Sequence, residues 1–158
     1  MKSLVIYGSR YGNTEKIAYA IGAGLRGAGP VDILAIDQAS ALRLHEYDLV
    51  VIGGPTEGHT MTKRVSDYLL EVADSFIGRS VATFDTRMNW PKWLSGSAAG
   101  GMAGILQKSG ATLVARPVSF TVAGKPPVLE PGELERAEGW GFALASDALA
   151  ERPMAARS

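Results

Sequence analysis

Cysteine is absent from the 158 residues, which removes disulfides, thiolate metal sites and a cysteine nucleophile from the possible chemistries. An excess of either charge is missing too, since 16 Lys and Arg balance 16 Asp and Glu. A formal net charge of zero leaves no basic footprint for nucleic acid. Long apolar runs are also lacking. The N-terminal run covers only Leu4 to Tyr7 before Gly8, short of the roughly 7 to 15 residues of a signal-peptide core. No later run approaches the roughly 20 residues that span a bilayer. The expectation is a soluble, cytoplasmic protein that binds neither nucleic acid nor membrane.

What is present is the composition of a core-forming chain, with 46% hydrophobic and 20% charged residues, which excludes a disordered or collagen-like polymer. The expected organisation is a single domain over residues 1–150, followed by a flexible tail over 151–158. Strand-length apolar runs occur at Leu4–Tyr7, Val31–Ile36, Leu49–Ile52, Val81–Phe84 and Thr112–Val122, the last interrupted by Pro117. Between them, Ile17, Ile21 and Leu25 recur every four residues, and Val65, Leu69, Val72 and Phe76 repeat at helical spacing. Ile105 and Leu106 lie in a further stretch ending at Gly110, a last helix is expected from about Pro131 to Leu149, and 38–47 holds one or two helical turns. Continuous Val, Ile and Leu strands separated by helices predict an α/β fold with a parallel sheet covered on both faces.

The first strand runs straight into Gly8-Ser9-Arg10-Tyr11-Gly12-Asn13-Thr14, and the first helix begins inside this turn. Backbone N–H groups and small hydroxyl side chains gathered at the positive end of a helix suit a phosphate dianion. The plainer reading is an ordinary capped loop. The turn is neither a Walker loop, which needs Gly-Lys-Ser/Thr, nor a dinucleotide GxGxxG.

Val5-Ile6-Tyr7, Ser9, Gly12, Asn13, Thr14, Ala18 and Ile21 together resemble the signature of the flavodoxin-like family, and Gly53-Gly54-Pro55-Thr56-Glu57-Gly58-His59 falls where that family carries its second cofactor loop. A third loop, Asp85 to Gly96, follows the fourth strand. The resemblance covers residues 2–149 and implies a doubly wound, three-layer sandwich around a five-stranded parallel sheet of order 2-1-3-4-5, with FMN at the carboxyl ends of the strands. It further implies that Ser9, Arg10, Tyr11, Gly12, Asn13 and Thr14 hold the FMN phosphate. Arg10 departs from the family pattern and has solvent or a substrate as its other destination. Pro55, Thr56, Glu57, Gly58 and His59 would meet the flavin edge, with the Glu57–Gly58 or Gly58–His59 peptide facing flavin N5. His59 and Glu57 are candidates for proton transfer, and His45 is read as a surface residue. Asp85, Thr86 and Arg87 would reach the pyrimidine edge, where Arg87 would favour a negatively charged reduced flavin. Trp90 or Trp93 would supply the stacking surface, against the alternative of structural aromatics at the sheet edge.

The function implied is an FMN-binding redox protein that transfers electrons to a redox partner protein or reduces a small, quinone-like acceptor. It works either as a carrier or as an oxidoreductase of the quinone reductase or protoporphyrinogen oxidase kind. A binding or regulatory module without redox activity is the alternative. Carriers of this family are usually strongly acidic, and the neutral charge here tilts the reading toward an altered role.

Overall fold

The computed structural model describes residues 1–39 and 41–151. The elements run β1 (Ser3–Tyr7), α1 (Asn13–Leu25), β2 (Val31–Ala35), β3 (Leu49–Glu57), β4 (Thr60–Met61), α2 (Lys63–Val72), β5 (Ser80–Met88), α3 (Lys92–Ser95), α4 (Ala98–Lys108), β6 (Thr112–Leu113), β7 (Val118–Ala123), β8 (Val128–Leu129) and α5 (Glu133–Glu151). Short 3₁₀ turns, Ala41–Glu46 among them, occupy the segment before β3.

The sheet has the order β2-β1-β3-β5-β7-β8, parallel throughout except for the final β7–β8 pair. The five long strands therefore follow the expected 2-1-3-4-5 arrangement. The expected fifth strand is broken in two. β6 pairs with the start of β5 and β7 with its end, and Pro117, which has no N–H to give to a ladder, lies between them.

Both faces of the sheet are buried, which is why its strands read as unbroken apolar runs rather than alternating ones. On one face Ile6, Val50, Ile52 and Val81 pack with Leu69 and Phe76 and with Met102 and Leu106. On the other Val5, Val51, Ala82 and Phe84 pack with Ile17, Ile21 and Leu25 of α1 and with Ala137, Leu144 and Ala145 of α5. Trp140 closes that face edge-on to Phe84 and Phe120, at 6.4 and 6.3 Å.

Two strands outrun their expected ends. The Gly-Gly-Pro and Asp residues after Ile52 and Phe84 signal breaks, yet β3 continues to Glu57 and β5 to Met88 because the two pair with each other, Gly54 opposite Asp85 and Pro55 opposite Thr86. Pairing with a central neighbour outweighs weak local propensity. At the other end of the chain, α5 runs to Glu151, so the first residue of the expected tail is helical, and residues 152–158 lie outside the described residues.

α1 and α5 cross at backbone contact. A Cβ built on Gly24 would sit 2.1 Å from the Glu138 carbonyl oxygen, and one on Gly141 would sit 2.2 Å from that of Ile21. Gly139, two residues away, faces open space. Gly141→Ala is expected to lower the unfolding free energy by about 2 kcal/mol or more through overpacking. Gly139→Ala should be neutral or stabilising by up to about 1 kcal/mol, the helix-propensity gain. Denaturant titration of both variants checks the contrast.

The start of α5 is tied to β7 through Glu133, whose Oε2 accepts the Thr121 N–H at 2.7 Å and an Arg136 Nη2–H at 2.7 Å. Arg136 also lies over the Phe120 ring, 4.5 Å from its centre. The Arg136 hydrogen bond, helped by the Thr121 amide and opposed by partial burial, holds the Glu133 carboxyl below its ordinary value of 4.5. A carboxyl depressed in the folded state stabilises the fold above its unfolded pKa, and that contribution disappears as pH falls through the folded value. Glu133→Gln should cost about 1 kcal/mol at pH 7, with the difference from wild type shrinking below pH 4.5. Paired urea titrations at pH 7, 4.5 and 3 read it directly.

Candidate functional site

The turn after β1 places Gly12 in the left-handed region, φ 87°, immediately before α1. Glycine takes this conformation without a Cβ clash, and the turn can then bring the helix end over the carboxyl edge of the sheet. No side chain among the described residues caps α1. The contrast with the helices of the opposite face is direct. Thr62 Oγ1 accepts the Val65 N–H at the start of α2. At α4, Thr56 Oγ1 takes the Ala98 N–H, Asp85 Oδ2 that of Ala99, and Ser97 Oγ that of Gly100. The amide end of α4 is satisfied from within, while that of α1 has no side-chain cap among the described residues.

Hydroxyls surround that uncapped end. Ser9 Oγ accepts the Gly12 N–H at 3.1 Å, which shapes the turn and leaves the hydroxyl proton free to donate. Thr14 Oγ1 and Thr86 Oγ1, both buried, stand 2.9 Å apart. Asn13 Nδ2 donates to the Pro127 carbonyl at 2.9 Å, binding the β7–β8 hairpin to the turn. Between these elements lies a cleft of about 140 Å³ lined by Arg10, Tyr11, Asn13, Thr14, Pro55, Thr56, Glu57, Thr86, Arg87, Met88, Val122 and Pro127.

Arg10 reaches across its mouth to Glu57, Nη1 to Oε2 at 3.3 Å, with its guanidinium 5.3 Å from the centre of the Tyr11 ring. Both partners are substantially exposed, so the pair orients the two side chains more than it stabilises the fold.

β3 and β4 form a hairpin whose two-residue turn is Gly58-His59, with φ of 55° and 73°. Positive φ at both central positions is the type I′ arrangement, the turn that matches strand twist. The third loop is held against this hairpin. Gly96 is so close that a Cβ on it would lie 1.9 Å from the His59 carbonyl oxygen. Arg87 Nη1 donates to the carbonyls of Met88 and Trp90, at 3.3 and 2.6 Å, and to Ser95 Oγ at 3.1 Å. Asp85 is fully buried on the α4 face, where Oδ2 also accepts from Ser97 Oγ at 2.8 Å.

Nine of the sixteen residues singled out in the sequence therefore line one cleft: Arg10, Tyr11, Asn13, Thr14, Pro55, Thr56, Glu57, Thr86 and Arg87. Ser9 and Gly12 shape the turn behind it. Gly58 and His59 are exposed at the hairpin tip. Asp85 points to the other face of the sheet and anchors α4. Trp90 and Trp93 are 50% and 84% exposed on the third loop, outside the cleft lining. Met88, Val122 and Pro127 were not singled out. Their signal was the Gly124-Lys125-Pro126-Pro127 turn between two apolar stretches.

Residues 4–93, more than half of the chain, match the family described as Flavodoxin domain. The chain belongs to the flavodoxin family. Its fold is similar to oxidised Flavodoxin 1 from Bacillus cereus, at 23% identity over 97% of this chain and 100% of that one, TM-score 0.76. It is similar to a flavodoxin, WrbA-like protein from Agrobacterium tumefaciens, at 18% identity over 96% and 99%, TM-score 0.74. The flavodiiron protein from Giardia intestinalis matches at 20% identity over 94% of this chain and 36% of that one, TM-score 0.74. At these identities the likeness is one of fold. Comparison with curated proteins gives no match.

The family's cofactor is FMN, and the donor set fits its phosphate: an uncapped helix end, the Ser9 hydroxyl, the one hydroxyl proton that the Thr14–Thr86 pair leaves free, and a cleft open to solvent. Among the described residues no group of three or more His, Asp or Glu is placed to hold a metal ion, and no helix is long and apolar enough to cross a membrane.

Asp85 is the internal anchor of this loop system, and Asp85→Ala should lower stability by roughly 1 to 3 kcal/mol by leaving the Ala99 amide and Ser97 hydroxyl unpaired. Asp85→Asn, which keeps a carbonyl acceptor, should lose less. Thermal unfolding of the two variants separates the outcomes.

Proposed function

We propose that this flavodoxin domain binds FMN in the cleft beneath the α1 N-terminus and passes electrons to a redox partner protein or to a small quinone-like acceptor. The observation that carries the reading is the amide end of α1, left without a side-chain cap while α2 and α4 have theirs. Bound FMN supplies one- and two-electron chemistry that no protein side chain here can perform.

The chain's own residues bind, orient and shield. The amides at the start of α1, with the hydroxyls of Ser9, Thr14 and Thr86, hold the phosphate dianion through charge-assisted hydrogen bonds. Pro55, Thr56 and Glu57 at the end of β3 form the wall on one side, with Gly58 and His59 at the exposed hairpin tip beyond it. Arg87 and the third loop form the other. The Arg87 guanidinium biases the cleft toward anionic ligands even while its Nη1 protons are engaged by carbonyls. His59 stands at the exposed tip of the hairpin. Trp90 and Trp93 offer apolar surface beside the cleft for a ring to lie against.

Mass spectrometry of the chromophore released from purified protein is expected to show FMN; FAD, or a colourless protein that takes up no FMN, overturns the reading. Thr14→Val removes one hydroxyl from the cleft and should weaken FMN by about tenfold to a hundredfold, the worth of a hydrogen bond to a charged group. Thr14→Ser should retain most of the affinity, and circular dichroism guards against unfolding. Wild-type affinity in Thr14→Val would contradict the assignment of this turn to the phosphate.

A further inference from the structure

A second concavity lies apart from the proposed FMN cleft. It is a groove of about 700 Å³ between α1 and α5, lined by Gly12, Glu15, Lys16, Tyr19, Ala20, Leu134, Glu135 and Glu138. Its apolar members are left in water. Tyr19 is 50% exposed and Leu134 42%, and Phe142, further along α5, is 65% exposed. Carboxylates rim it: Glu15 on α1 and Glu135 and Glu138 on α5, all exposed, against the single ammonium of Lys16. A chain with no net charge thus concentrates negative charge on one apolar groove.

Resting on the electron-carrier reading, we propose that this groove docks a lysine- or arginine-rich amphipathic segment of the protein with which the flavodoxin exchanges electrons. The floor takes the apolar face of such a segment and the three glutamates take its cations, a combination of burial and steering that favours fast, reversible association. From Leu134 to Glu138 the groove runs about 6 Å along α5 at 1.5 Å per residue, room for roughly one turn of a helix, and the exposed Phe142 stands one turn further on. Gly12 belongs both to the groove and to the phosphate turn, so a docked segment lies beside the cofactor turn. A second copy of the same chain fits worse, because a two-fold contact sets like carboxylates against each other. Nucleic acids and anionic lipid are repelled by the same charges.

The experiment is a titration of the ¹⁵N-labelled full chain, loaded with FMN, with a synthetic 14-residue amphipathic Leu/Lys peptide, followed by amide chemical shifts. Saturable binding is expected, with the largest shifts at Glu15, Tyr19, Leu134 and Glu138. Affinity should fall about tenfold on raising salt from 20 to 200 mM, as screening dictates. It should fall by a similar factor or more in Glu15→Gln/Glu135→Gln/Glu138→Gln, whose fold is checked by circular dichroism. Glu135→Gln/Glu138→Gln, which leaves α1 untouched, should show a smaller loss. Shifts centred on Trp90 and Trp93, equal binding of a Leu/Glu control peptide, wild-type affinity in the triple variant, or salt-independent dimerisation through the groove in sedimentation would each overturn the proposal. Flavin absorbance in the same samples reads the cofactor separately. Groove binding lost with flavin retained sinks this inference alone, and groove binding retained without flavin sinks the electron-carrier reading alone.

Discussion

Parallel pairing of β3 with β5, carried on through Gly54 opposite Asp85 and Pro55 opposite Thr86, sets the geometry on which the rest of the site depends. Had the two strands separated at Ile52 and Phe84, Thr86 would belong to a loop and its hydroxyl would have no fixed relation to Thr14. Because the ladder persists, residues of β5 alternate faces in strict order. Thr86 meets the turn after β1, Asp85 turns to the α4 side, and Arg87 lines the cleft and secures the third loop. One backbone feature thus supplies both a wall of the cleft and the anchor of the segment that overhangs it.

The fold was legible because its strands are doubly buried and its helices amphipathic, two patterns that local sequence carries openly. The turn after β1 was legible for a related reason: a helix start needs a glycine and small polar residues within a few positions, and Ser9, Gly12 and Thr14 stand in one short segment. The orientations of Asp85 and Arg87 were not legible. Each depends on partners brought close by the sheet, Ser97 and Ala99 for one and the carbonyl oxygens of Met88 and Trp90 for the other. The wall formed by Val122 and Pro127 was equally hidden, because its link to Asn13 joins residues 114 apart in sequence.

Net charge describes this molecule poorly. Opposite signs cancel over the whole chain, yet α5 carries Glu133, Glu135, Glu138, Asp147 and Glu151 against Arg136 alone, and Arg136 is committed to Glu133. The basic residues of α2 are balanced where they stand, Lys63 by Asp67 and Arg64 by Asp37. A locally acidic helix orients an approaching charged surface even where the chain as a whole carries no net charge.

The Asn13–Pro127 hydrogen bond also bears on the order in which the binding site comes into being. On the ribosome, residues emerge from the N-terminus at roughly 5 to 20 per second, so β1, α1 and the phosphate turn leave the exit tunnel well ahead of β7 and β8. Until that hairpin joins the sheet, the helix end has its donors but lacks the wall that closes around them. A nascent chain cannot complete this cleft early, and its closure becomes a report that the sheet has been assembled through its last parallel strand.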